Sequence, residues 1–288
     1  MRVDSLSKDS IGRIRDHAYA FLDRHGGPWR PVDVEHFATM EGLTRVRRGL
    51  DPGIEACLVP QVGGWVILTA TDPSSPINTS PRRRRFTIGH ELGHFWLPSH
   101  KGRPFYCRSS DIEALFGETR LQEREANHFS AEVLMPADLF EKDMAALDER
   151  GLYAAVDVLS SREYYNTSRL ATLLRYAELT CRPLMVAVYD LRYGPSKQLA
   201  WWRPSEGWNG HHITRGHEPP AGLPRSSCGW AIARIDDEGK PFQREYSAAA
   251  QGTDWLPLMP AGLVLEECAR WLWESRILVT LALQEIDL

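Results

Sequence analysis

Two histidines four residues apart, with a glutamate directly after the first, stand in the run His90-Glu91-Leu92-Gly93-His94. On a helix, positions i and i+4 share a face, so both imidazoles can reach one ion. Glu91 lies beside that face, where its carboxylate reaches a water at the ion rather than the ion itself. A zinc ion with three protein ligands keeps one position open for water and brings that water's pKa towards neutrality. Glu91 then serves as the general base, taking the water's proton as its oxygen attacks a peptide carbonyl and returning it to the leaving amine. The expected chemistry is peptide hydrolysis at a zinc centre. Mn2+ or Fe2+ is the alternative occupant, because in cells availability counts alongside affinity.

A third ligand is required, and three residues compete for the place. His100 follows His94 by six residues, the spacing of HExxHxxGxxH proteases, but that sharp turn needs glycine where this chain has Leu97. Glu123 and Glu125 lie in a later helical stretch that ends at Met135-Pro136. There Glu123, Asn127 and Ser130 recur on one polar face, while Ala126, Phe129 and Val133 make an apolar one. The pattern favours Glu123 over Glu125 and His100. His128 is expected on the surface or next to the ligands.

The elements that must hold these residues are readable in outline. Arg82 to Leu97 reads as a helix stopped by Pro98, with Ile88, Leu92 and Phe95 on its apolar side. A second helix is expected over about 119–134 and a third over 138–149. Upstream, Ile11, Ile14, Ala18, Phe21 and Leu22 mark a helix that Gly26-Gly27-Pro28 ends, and a short one covers Val34 to Glu41. Strands are expected over 56–60 and 65–69, around the turn Gly63-Gly64. Residues 156–179 read as helix, polar break, helix. Beyond Arg182-Pro183, strands are expected over 184–189, 199–202 and 230–235, and a helix over 262–273. Periodicity leaves 277–283 open between helix and strand. The expected class is α+β, with a metallopeptidase domain over 1–150, a helical segment over 151–182 and a smaller α/β domain over 183–288.

Composition narrows the remaining classes. Of 288 residues, 43% are hydrophobic and 25% charged, which argues against a disordered chain. The net charge of −4 gives no general reason to bind nucleic acid or an anionic membrane. No apolar run suits a signal peptide or a bilayer span. Five cysteines (57, 107, 181, 228 and 268), far apart and without a CxxC pair, point to buried reduced thiols and a cytoplasmic setting. The run Arg82 to Arg85 is expected to be solvated or paired with carboxylates. Arg169 and Arg175 share their helix with Glu178, which disfavours direct DNA binding. Seven C-terminal tryptophans (201, 202, 208, 230, 255, 271 and 273) read as core or interface residues first and as a small-molecule pocket second. His211, His212 and His217 read as surface-loop residues.

Two blocks resemble the ImmA/IrrE family of bacterial metallo-endopeptidases. Arg83 to His94 is similar to that family's RRRFTxxHELGH block, and Glu123 to Pro136 to its second block, an acidic start leading into FAAELLMP. Two departures stand out: Leu97-Pro98 occupies the place where members often carry a histidine, and Ser130 replaces the usual alanine. The resemblance implies a zincin-like domain with His90, His94 and Glu123 as ligands and Glu91 as catalytic acid/base. It also implies a substrate, a helix-turn-helix repressor or antitoxin whose loss derepresses stress-response or mobile-element genes. Longer members suggest a helix-turn-helix-like segment at 151–182 and a GAF-like sensor domain at 183–288 that takes a small ligand. Two other functions stay open: a metal-stabilised regulator that inactivates its partner by binding alone, and a DNA-binding transcription factor.

Overall fold

The computed structural model describes residues 6–101, 105–108, 121–190, 198–211, 214–235, 245–256, 264–273 and 276–283, with the side chains of 106–108, 232–235, 245–246 and 271–273 outside that description. The chain is of mixed α+β class and divides into two compact units, residues 4–175 and 176–288.

The first unit opens with α1 (Lys8–Arg24), whose N-terminus is capped by Ser7 accepting the Ser10 N–H. Its buried stripe is Ile14, Ala18, Phe21 and Leu22, and Gly26 and Gly27 end it at φ 99° and 105°, where a side chain would be strained. Next comes α2 (Val34–Met40), capped by Asp33. Three strands follow, β1 (Thr44–Arg48), β2 (Ile54–Gln61) and β3 (Gly64–Ala70). With β4 (Phe105–Arg108) they form a four-stranded sheet in the order β1-β3-β2-β4, parallel only at β1–β3. A short α3 (Pro76–Thr79) leads into α4 (Pro81–Trp96), which carries the HExxH run. Ser80 caps it by accepting the Arg83 N–H, Pro81 occupies its first turn, and it stops at Leu97 before Pro98.

The arginine run is built into this scaffold. Arg83 makes a two-pronged pair with buried Glu55 at 2.9 and 3.0 Å, and Arg84 pairs with Glu35 at 2.9 Å. Arg85 donates to the Tyr165 carbonyl. The run therefore positions the start of α4.

The second long helix is α5 (Leu121–Leu134), since 119 and 120 lie outside the described residues. It is followed by α6 (Ala137–Leu147), α7 (Leu152–Leu159) and α8 (Arg169–Leu179). The division between the units falls within α8, so the 151–182 segment is shared between them. Its two arginines are engaged. The Arg175 side chain is buried against Glu132 at 2.5 Å and donates to the Met135 carbonyl, while Arg169 pairs with Asp157. His128, expected on the surface or next to the ligands, is buried, with Nε2 3.6 Å from Glu132, which excludes the first of these two places.

The second unit is a five-stranded antiparallel sheet in the order β6-β5-β9-β8-β7, formed by β5 (Leu184–Asp190), β6 (Gln198–Pro204), β7 (Glu245–Gln251), β8 (Val264–Trp273) and β9 (Arg276–Leu283). Its core includes Tyr189, Trp202, Trp208, Trp255 and Val279. Two expectations are corrected here. The stretch expected as helix at 262–273 contains β8, because residues 264–273 lie between β7 and β9 and both ladders claim their backbone groups. The stretch expected as strand at 230–235 belongs to α9 (Cys228–Ile235), whose start is signalled by Ser227 accepting the Trp230 N–H. Cys57 and Cys268 are buried free thiols, whereas Cys181 is exposed, and the Cys107 side chain and His212 lie outside the described residues.

Candidate metal centre

Close approach of α4 and α5 creates the site. A methyl group at Gly93 would stand 3.0 Å from the Ala126 Cα, and one at Gly89 would stand 2.5 Å from the Ser130 hydroxyl oxygen. Ser130 in turn donates to the Phe86 carbonyl at 2.9 Å. Small residues on both helices thus let Glu123 reach the imidazoles.

The ligand atoms converge. His90 Nε2 and His94 Nε2 stand 3.0 Å apart, and Glu123 Oε2 lies 3.1 Å from the first and 3.6 Å from the second. Atoms about 2.0–2.1 Å from a tetrahedral zinc are about 3.3 Å from one another. The triangle fits such an ion. The donor set fits as well, two imidazoles and a carboxylate, and among the described residues it is the one such group of three. His90 Nδ1 is turned to Asn127 Oδ1 at 2.9 Å, which fixes the proton on Nδ1 and leaves Nε2 as the donor atom.

Glu91 is completely buried, and among the described residues no side chain hydrogen-bonds its carboxyl oxygens, which lie within reach of the Leu58 backbone. Burial pushes its pKa up to about 8; the charge of Glu123 adds to the effect and His90 opposes it. Burial likewise drives His94 down to about 3. For His90, burial pulls the pKa down, but Glu123 and Glu91 outweigh it and the net shift is upward. Glu123 is held well below the usual carboxylate range: burial raises it, and the two imidazoles more than reverse that.

The other two candidates for the third ligand sit behind the triangle. His100 Nδ1 is 2.9 Å from His94 Nδ1, and its Nε2 is 2.9 Å from Glu125 Oε2. Sequence reasoning placed Asn127 on the face of Glu123 without giving it a task; its position four residues after Glu123 was the available signal. A cleft of about 620 Å³ reaches His94 and His100 and is also lined by Leu58, Trp65, Trp96 and Arg24. No helix among the described residues is long and apolar enough to cross a membrane.

With this geometry in place, comparison with known proteins is informative. Residues 77–175 match the family model Peptidase_M78, described as an IrrE N-terminal-like domain. No curated protein matches the chain. Among solved structures it is similar to a Mycobacterium tuberculosis transcriptional regulator, with a TM-score of 0.55 and 15% identity over 96% of this chain and 78% of that one. At that identity the likeness concerns the fold alone. The α4–α5 pair and the triangle of ligand atoms all lie inside the matched segment. Residues 77–175 are accordingly an IrrE N-terminal-like domain of the ImmA/IrrE metallopeptidase-like family.

Proposed function

We propose that the protein is a zinc-dependent endopeptidase that cleaves a helix-turn-helix repressor or antitoxin, and so releases the genes that partner silences. The observation that carries the catalytic part is the convergence of His90, His94 and Glu123 beside a buried Glu91 that no side chain neutralises. The substrate part is supported by the family resemblance, with a transcriptional regulator among the structures of similar fold.

His90, His94 and Glu123 would hold the ion, which when bound supplies Lewis acidity towards a carbonyl and a water. Asn127 orients the His90 ring so that Nε2 keeps its lone pair. Glu91 Oε accepts the proton of the attacking water while the C–O bond forms, and then delivers it to the amine nitrogen as the C–N bond breaks.

The test is Glu91→Gln, which keeps shape and charge-free bulk but cannot take a proton. It should retain one metal per chain and lose about 10²–10⁴-fold in cleavage of a co-encoded helix-turn-helix protein. Cleavage at the wild-type rate would refute the reading. A partner inactivated while staying full length on a gel would favour the binding-only regulator instead.

A further inference from the structure

The geometry points to a hydrogen-bonded relay, His94–His100–Glu125, that positions His94 for the ion and ties the centre to a second carboxylate. This inference rests on the metal-centre reading above and assigns a task to two residues beyond the ligand set.

If His94 gives its Nε2 lone pair to the ion, its proton must sit on Nδ1. Nδ1 faces His100 Nδ1 at 2.9 Å, so that atom must accept. A histidine accepting at Nδ1 carries its own proton on Nε2 when neutral. His100 Nε2 then donates to Glu125 Oε2 at 2.9 Å. Every donor along the chain points the same way, from the ion outward to a carboxylate. The surroundings hold the chain in place. The Phe105 ring stacks on His94 at 3.8 Å with 12° between planes, and His100 is 1% exposed. Ser99 also donates to Glu125 Oε2, at 3.3 Å, and Gln122 donates to the Ser99 carbonyl, tying the turn Pro98–His100 to α5.

The two histidine ligands are therefore backed differently. His90 rests on the neutral amide of Asn127, whereas His94 is linked through an imidazole to a negative charge. A carboxylate behind a ligating histidine raises its basicity and fixes its tautomer, and loss of such a partner typically weakens metal binding about 10–100-fold. This arrangement also explains how Leu97-Pro98 can replace a glycine turn: His100 returns to His94 rather than to the ion. His100 and Glu125 are positioning residues.

The test measures zinc affinity by chelator competition on the full chain, with the thermal midpoint of the metal-free protein recorded for each variant. His100→Ala should weaken binding about 10–100-fold. The slowly exchanging His94 Nδ1–H proton resonance of the zinc-loaded protein should disappear with it, a signature that a merely structural role would not move. Glu125→Ala, at the outer end of the chain, should weaken binding in the same direction and carries the test if His100→Ala does not fold. Ser99→Ala should stay within about twofold of wild type, since Glu125 keeps its bond to His100. Affinity unchanged in both His100→Ala and Glu125→Ala, with His90→Ala abolishing binding, would overturn the relay and leave the metal centre standing. Wild type that binds no metal, or His90→Ala that binds as well as wild type, would overturn both.

Discussion

The two ends of α5 hold acidic side chains, one fully buried and one half-buried, in opposite ways. Near its C-terminal end, Glu132 is fully buried and its charge is met by Arg175 at 2.5 Å and Arg15 at 3.0 Å. Near its N-terminal end, Glu123 faces two imidazoles and, beyond them, the charge of Glu91. The first cluster brings its own cations; the second gathers lone pairs and two carboxylates around a point and leaves the positive charge to come from outside. Burying an ion is costly unless it is paired or bound to a metal. A buried acid completed by arginine reads as structure, and one completed only by an added cation reads as a site. Glu267 in the second unit shows a third solution, accepting the Gly229 N–H at 3.1 Å and the Trp255 indole N–H at 3.0 Å.

Removing the cation from the self-sufficient end gives the largest change in stability. Arg175→Ala leaves Glu132 with Arg15 and the nearby His128 and should cost about 3 kcal/mol in a denaturant melt, while zinc affinity moves little. The double change Arg175→Met with Glu132→Leu should recover much of that loss, as apolar replacements of buried pairs often do. Failure to recover would mean that the pair does more than balance charge.

Supplying the cation at the other end should act next most strongly. Zinc at one hundred times its dissociation constant should stabilise the wild type by about 2.7 kcal/mol. Arg175→Ala should gain the same increment, read as the shift in thermal midpoint on adding metal. No shift in either protein would erase the contrast between the two ends.

A subtler change tests the approach of the helices. Gly93→Ala gains about 1 kcal/mol of helix propensity but must push α4 from the Ala126 backbone, an overpacking cost of about 1–3 kcal/mol. A net destabilisation on the order of 1 kcal/mol is expected, with weakened metal binding because Glu123 retreats from the imidazoles. A stabilised variant that binds metal normally would show that the contact yields freely.

Smallest is the pH response of Glu267. Burial raises its pKa, although Trp255 and Gly229 pull the other way. Its folded value thus lies above the unfolded one, so its contribution is complete below the ordinary glutamate range and is lost as pH rises through the folded value. The stability of wild type minus that of Glu267→Gln should fall with rising pH over that window. A flat difference would contradict it.

Much of the centre was legible because helical spacing is a local rule. His90, Glu91 and His94 share one turn, and Glu123 stands out from the apolar face of Ala126, Phe129 and Val133. What the spacing could not give was the partner of each second nitrogen. Asn127 and His100 find their tasks only through tertiary contact, and the close fit of Gly93 on Ala126 depends on how two distant helices cross. The fold was readable where propensity and context agree, as in α1 and the β2–β3 hairpin. It was misread at residues 264–273, where sheet neighbours on both sides override a helix-like composition, and at Cys228–Ile235, where the Ser227 cap was overlooked.

The most direct test of the central claim is the metal content of purified Glu123→Ala beside wild type and Arg175→Ala after dialysis against equimolar zinc. One zinc per chain is expected in wild type and in Arg175→Ala, and almost none in Glu123→Ala, whose affinity should fall by about a thousandfold or more with a ligand gone. One zinc per chain retained by Glu123→Ala would contradict a centre built from His90, His94 and Glu123.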